Sequence, residues 1–408
     1  MKKSDYVILV LVGIYIFMLP FTSASRLEWL LSLIFCVIGM IYLFEIIFKD
    51  GERERFLKKS KVIFTDTFTI MFLLFIIVMF ITTLNSKAIQ ISIKEFIRYV
   101  YYIGMYFVIR FRFDKEKIYM AAVDVYLFST LVVGLIGILE FIKYEKMGLT
   151  IEQMILFSRV KSTFEHHNTY AAYLILAIFP AILIALNSKG LKRIYYYSIS
   201  VILSFNLAVT FSKNGWIAFA VGILTLSILY SWKFISLYII PAVYLFFSKD
   251  IYMRLIQILD SAYSSGRIKL WKIAESMIKE NVFWGVGSGN FMTMYNQYVR
   301  RFPELELNEN LALPPHNSYI RVFAEIGVFG AVIFLIMCFE MLKSVFYVRS
   351  KCSGHLKYFY SGYLISVMCF LMMNCFDDLF YTPKVTINFL IFVFISFNIA
   401  ADYRLSKV

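Results

Sequence analysis

The chain has 408 residues, 60% of them hydrophobic and 19% aromatic, with only 17% charged. Soluble domains average nearer half apolar and about a quarter charged, so this composition excludes an ordinary globular enzyme. The net charge of +14 is spread over many loops, which argues against nucleic-acid binding and fits attraction to anionic lipid headgroups.

In chain order, apolar stretches fall near 6–22, 27–48, 62–84, 93–110, 116–142, 168–187, 193–210, 214–230, 232–248, 317–342, 357–378 and 383–402. Each is close to the roughly 20 residues needed to cross the hydrocarbon of a bilayer. The expected fold is an all-α polytopic membrane protein of about twelve transmembrane helices, one domain over 1–408. Met1-Lys2-Lys3 opens the first span, because no small-residue cleavage site follows it. Cys36, Cys338, Cys352, Cys369 and Cys375 form no Cys-x-x-Cys pair and no disulfide framework.

Orientation follows from where Lys and Arg accumulate. With the N-terminus inside, the basic loops 49–61, 110–117, 188–193 and 343–357 all lie inside, and so does the tail with Arg404 and Lys407. Most outside turns then hold one cation each, Arg26, Lys87, Lys213 or Lys384; the 143–167 loop, with four, is the exception. Both termini are expected in the cytoplasm, and the long polar segment 249–316 outside.

That segment, between spans nine and ten, carries Ser265-Gly266-Arg267-Ile268-Lys269-Leu270-Trp271, then Gly285-Val286-Gly287-Ser288-Gly289-Asn290-Phe291, and ends in Pro314-Pro315-His316-Asn317-Ser318-Tyr319. Its apolar residues Leu270, Trp271, Ala274, Met277 and Ile278 share one helical face. This predicts an amphipathic helix over about 266–280, lying on the bilayer with Trp271 at headgroup level. The glycines have the wrong spacing for a dinucleotide fingerprint and read as a flexible turn.

The candidate chemistry collects on the outside. His316 follows two prolines at the foot of span ten, where the helix dipole favours neutral imidazole, a competent general base; otherwise it is a loop histidine bonding a carbonyl. With no ligand partners at metal spacing, a metal site is not expected. Arg267 suits a phosphate through a bidentate fork, or simply meets lipid headgroups. Lys213, in the tight Ser212-Lys213-Asn214 turn, sits at a helix N-terminus suited to anions, or is a solvated turn residue. Arg321 and Glu325, four apart on span ten, are intramembrane charges that mark a substrate path or fix helix packing. Glu165 with His166 or His167 could bind sugar or act as acid/base, or the segment is a wet loop in which Asn168 caps span six. Asp377 and Asp378 lack a third acid and are expected at the surface.

Four motifs, in order, resemble the O-antigen ligase / O-antigen polymerase superfamily of bacterial polysaccharide assembly. They are Thr163-Phe164 with Asn168-Thr169-Tyr170, Thr210-Phe211-Ser212-Lys213-Asn214-Gly215-Trp216, Gly266-Arg267 with Trp271 and the Asn281–Phe291 run, and His316-Asn317-Ser318-Tyr319 with Ala324-Glu325-Ile326-Gly327. They span roughly 160–330.

The resemblance implies a GT-C-like bundle acting outside the cytoplasmic membrane, without metal, cofactor or nucleotide sugar. The donor would be a polyprenyl-diphosphate-linked oligosaccharide. The acceptor would be a sugar hydroxyl on a second lipid-linked glycan (polymerase) or on lipid A-core (ligase). Membrane lipid, a flippase and a chain-length regulator are the implied partners. The family's two cations and its histidine fall on Lys213, Arg267 and His316, the catalytic candidates. Asn168, His167, Arg321, Glu325 and Asn317 are the substrate-binding candidates. Lys213 departs from the family, which usually has arginine there, and so loses the fork. The Lys, Ile, Phe and Tyr richness tilts the reading to polymerase. A lipid-linked oligosaccharide flippase and a membrane scaffold are the alternatives from other classes. The apolar middles of the spans, and the lack of a repeat, speak against the flippase.

Overall fold

The computed structural model describes residues 3–22, 25–113, 115–238, 261–307 and 312–405. Among these residues the regular structure is entirely helical. The helices are α1 (Lys3–Met18), α2 (Ser25–Phe48), α3 (Asp50–Phe64), α4 (Thr67–Leu84), α5 (Ile89–Arg112), α6 (Glu116–Lys146), α7 (Ile151–Phe157), α8 (His167–Leu186), α9 (Gly190–Val209), α10 (Lys213–Leu229), α11 (Ser261–Glu280), α12 (Phe291–Arg301), α13 (Ser318–Arg349), α14 (Gly354–Met373) and α15 (Pro383–Leu405).

Helices stand at every expected span except the ninth. That stretch begins as a 3-10 turn, Trp232–Tyr238, and its remainder lies outside the described residues. By length and composition, seven described helices can cross a membrane: α1 with its following turn, α4, α6, α8, α13, α14 and α15. Leu33–Phe48 in α2 and all of α10 are apolar but shorter. The charges of α5 (Lys94, Glu95, Arg98, Arg110, Arg112) lower its hydropathy, as do Lys192, Arg193 and three tyrosines in α9. The protein is therefore a polytopic helical membrane protein, with seven spans meeting this criterion where twelve are expected.

The bundle is built around α8 and α15, 89% and 94% buried, while α1, α4 and α6 bury 39% of theirs and keep an apolar outer face. Close packing rests on small residues, as between membrane helices generally. A Cβ at Gly362 of α14 would stand 2.4 Å from the Phe179 carbonyl oxygen of α8, beside Pro180. Ser366 Oγ then donates to the Ile175 carbonyl across the same contact at 2.8 Å.

α13 is broken at Gly327 (φ 78, ψ −175). The run 282–287 lies along the break: Val328 N donates to Val282 O, Val286 N to Ala324 O and Gly287 N to Glu325 O. A Cβ at Gly327 would stand 2.1 Å from the Phe283 carbonyl oxygen, and one at Gly285 2.4 Å from the Glu325 carbonyl oxygen. The expected flexible turn is thus a fixed backbone clasp, possible only with glycine on both sides.

α4 runs beside α13, with Val78 near Gly330, and ends just before Ser86, which Asn290 Nδ2 contacts. Arg321 and Glu325 are both buried on the part of α13 that precedes the break at Gly327.

A second cluster of charges gathers at the opposite end of the bundle. Arg112 pairs with Asp5 at 3.1 Å and Glu45 at 3.2 Å, Lys115 joins Asp5, and the fully buried Arg110 meets Asp66 at 3.2 Å. Buried carboxylates answer buried guanidiniums, so this cluster ties α1, α2, α4 and α5 together.

Candidate functional site

α8, α10 and α13 begin, and α14 ends, at the same end of the bundle. His316 comes just before α13 with φ 49, a conformation non-glycine residues seldom adopt. Asp378 fixes it there by accepting from the His316 N–H at 3.2 Å and the Asn317 N–H at 3.1 Å. Asn317 Oδ1 caps α13, accepting from Tyr319 N and Ile320 N at 3.0 Å each, and its Nδ2 donates to Cys375 O. Ser318 closes the contact through Asn374. The backbone before α13 is thus stitched to the end of α14 on both sides of the histidine.

The His316 ring faces Asp377, with Nδ1 3.6 Å from Oδ1; the imidazole is 36% exposed and the carboxylate 15%. At that distance the contact is electrostatic and too long for a hydrogen bond. Nδ1 is held toward the acid, which leaves Nε2 for a substrate. Burial alone would raise the Asp377 carboxyl, but His316 beside it holds it below its usual value. Burial pushes Asp378 up to about 6, against the opposing pull of Arg321. Both acids, expected at the surface, are sequestered because α14 stops at Met373 and the chain turns back beneath His316.

Arg321 and Glu325 pair at 3.0 Å. Glu325 is fully buried, and it also accepts from Gly289 N, Phe291 N and the Tyr381 hydroxyl. Arg321 lies 3.5 Å from Asp378 and over the Tyr381 ring. These two substrate-binding candidates are engaged by the protein itself; they hold the glycine clasp, α12 and Asp378 in register.

The α8 end is built differently from expectation. His166, not Asn168, caps α8, its Nδ1 accepting from Asn168 N at 3.2 Å. Asn168 Oδ1 instead accepts from Ser212 Oγ at 2.7 Å, and Ser212 caps α10 through Gly215 N. Lys213 is therefore the first residue of α10, between Ser212, held by Asn168, and Asn214, which donates to Met373 O at 3.0 Å. Two motifs far apart in the chain thus meet, and both meet the end of α14. His167 accepts at Nε2 from Arg159 at 2.8 Å, and its ring lies 4.0 Å from that of His166, tilted by 35°. Burial lowers the His166 pKa, with Asp377 opposing and His316 adding to the shift. The two histidines therefore share one electrostatic environment.

Arg267 is half-buried on α11. Leu270, Ile273, Ala274 and Met277 pack into a second core with α12 and Ala324 of α13, so this face meets protein and not the bilayer surface. Trp271 Nε1 donates to Pro315 O at 2.9 Å, one residue before His316. Arg267 is one turn along the same helix, which brings its element against the histidine loop.

Sequence reasoning placed Asp377 and Asp378 at the surface and gave Arg159 no role. The paired acids were visible as a motif; their partner His316 is some sixty positions away, and only the fold joins them.

Comparison with curated proteins gives no match. The family model described as O-Antigen ligase matches residues 198–335, 138 of 408 residues. The matched stretch contains Lys213, Arg267 and His316 and supports what the motifs imply: this chain's similarity is to the O-antigen ligase / O-antigen polymerase superfamily of polysaccharide assembly.

Proposed function

We propose that the protein is a metal-independent glycosyltransferase that joins polyprenyl-diphosphate-linked oligosaccharide repeat units into a cell-surface polysaccharide, at the outer face of the cytoplasmic membrane. The observation that carries the reading is the convergence of the His316–Asp377 pair with the elements bearing Lys213 and Arg267 at one end of the bundle.

His316 Nε2 takes the proton from the acceptor sugar hydroxyl as that oxygen bonds to the anomeric carbon of the donor. Asp377 orients the ring and stabilises the imidazolium that forms. The bond from the anomeric carbon to the phosphate oxygen breaks, and the electron pair leaves with the polyprenyl diphosphate. Charge grows on that diphosphate, and fixed cations stabilise it there; Lys213 and Arg267 have this role. Side chains of His166, Ser212 and Asn317 each meet one or two of the N-terminal amides of α8, α10 and α13, and the cations supply the full charges. Asn168, His167 and Asn317 shape the rim where sugar would lie.

The test is direct. The purified chain in proteoliposomes receives an undecaprenyl-diphosphate-linked oligosaccharide and nothing else. A ladder of lengthened lipid-linked glycans supports the polymerase. Product only when lipid A-core is added makes it a ligase. Transbilayer movement without new glycosidic bonds overturns the enzyme reading.

A further inference from the structure

Lys213 stands where the superfamily usually has arginine, and an ammonium cannot hold two oxygens of a phosphate in a planar fork. The structure places a guanidinium beside the same elements. Arg159 Nε donates to Ile155 O at 2.6 Å, anchoring the group at the end of α7. Arg159 Nη1 lies 2.8 Å from His167 Nε2. A guanidinium only donates, so His167 accepts there and carries its own proton on Nδ1. These two contacts fix the plane of the fork. From His167 the path to Lys213 is short: Asn168 follows in the chain, and its Oδ1 takes the hydroxyl of Ser212, the neighbour of Lys213.

The loop carrying Arg159 is built to stay in place. Glu140 accepts from Lys161 N at 3.0 Å and Ser162 N at 2.7 Å. Ser162 Oγ donates to Val133 O, and Ser162 holds φ 51. A non-glycine residue in that conformation is strained and persists only where its surroundings enforce it. One Glu140 carboxylate oxygen gripping two successive amides, with a strained backbone beside it, is more than a surface connection needs. Arg159 also acts on His166, which in turn feels His316 and Asp377.

We propose that Arg159 is a diphosphate-binding residue of this site, providing the guanidinium fork that lysine at position 213 does not. The inference rests on the polyprenyl-diphosphate reading above. Lys213 then acts as a point charge, and Arg159 reads the geometry of a phosphate group.

The experiment uses the full chain in nanodiscs, with undecaprenyl diphosphate and undecaprenyl monophosphate as probes and binding followed by native mass spectrometry. The wild type binds the diphosphate more tightly. Arg159→Gln lowers diphosphate affinity about 10- to 100-fold, the scale of charge-assisted hydrogen bonds, and removes the preference over monophosphate. Arg159→Lys keeps the charge and a donor toward His167, preserves the melting temperature, and still loses most of the preference. Adding Lys213→Arg to Arg159→Gln restores it. Unchanged diphosphate affinity in both Arg159 variants overturns the inference while leaving the proposed reaction standing. Equal loss for both lipids together with a lowered melting temperature also overturns it, because Arg159 then only supports the loop. A wild type that binds neither lipid removes the reading and the inference together.

Discussion

Asp377→Asn isolates the electrostatic part of the proposed base, since it keeps the shape of the side chain and removes its charge. In the wild type the imidazolium would form 3.6 Å from the carboxylate. At an effective dielectric constant of about 20, the attraction at that distance is about 4–5 kcal/mol. The imidazole is 36% exposed and the acid 15%, and solvent screening leaves roughly half, about 2–3 kcal/mol. Turnover should then fall about 30- to 150-fold. The assay is initial-rate chain extension in proteoliposomes, with kcat and the donor KM determined separately. The loss belongs in kcat, because the attraction arises only as the proton moves. His316 holds Asp377 below its usual value, so the wild type keeps this charge at neutral pH, and the deficit should be level from about pH 6 to 8. A kcat within threefold of wild type, or a defect confined to the donor KM, would refute the role given to this pair.

His316→Asn should abolish extension while keeping the melting temperature near wild type, because Asn tolerates the left-handed backbone at φ 49; residual product above a tenth of wild type would show that another group is the base. Lys213→Arg should retain extension and Lys213→Ala should lose it by tenfold or more, and full activity in the alanine variant would leave Lys213 as a turn residue only. Gly327→Ala drives a methyl to 2.1 Å from the Phe283 carbonyl oxygen at φ 78, so a cost of about 3 kcal/mol or more is expected, read as a lowered melting temperature or lost yield of folded protein. Asp378 separates stability from activity. Burial raises its carboxyl from 3.8 to about 6, with Arg321, Asp377, His316 and Glu325 facing it. Between those values the folded protein holds a proton that the unfolded chain does not, so stability should rise as pH falls from neutral toward 5. Activity should fall over the same range, because the neutral acid is a weaker acceptor for the His316 and Asn317 amides. Asp378→Asn should flatten both curves, and a melting temperature that falls with pH in the wild type contradicts the reasoning.

What the sequence revealed follows the range of the interactions involved. The helical face of Leu270, Ala274 and Met277 is a local pattern and appears as expected. Its burial against α12 and α13, instead of on lipid, depends on residues that periodicity does not name. Asn168 looked like a cap by residue type, yet His166 two residues earlier takes that role because Ser212, the cap of α10, claims the Asn168 oxygen. Glu325 and Arg321 were visible as an i, i+4 pair, whereas the amides of Gly289 and Phe291 that complete the carboxylate's partners come from the clasp. Apolar length located the spans; α5 and α9 fall short of the composition test because their charged and tyrosine-rich faces are used inside the bundle and at its ends.

Backbone strain gives an independent view of the same end of the bundle. Among the described residues, the non-glycine residues with positive φ are Ser162, Phe211 and His316. Each comes within a few positions of a site helix: Ser162 before α8, Phe211 before α10, His316 before α13. Each is held by different chemistry. Glu140 grips the Ser162 amide, Phe211 packs with Met154, Ile155 and Trp216, and Asp378 takes the His316 amide. A loop that only joined two helices could adopt an unstrained path. Three such residues at one end, with separate supports, are the expected mark of groups whose positions matter more than the cost of holding them. Because the supports come from α6, α7 and the end of α14, altering any one of them should misplace a single motif and leave the bundle intact.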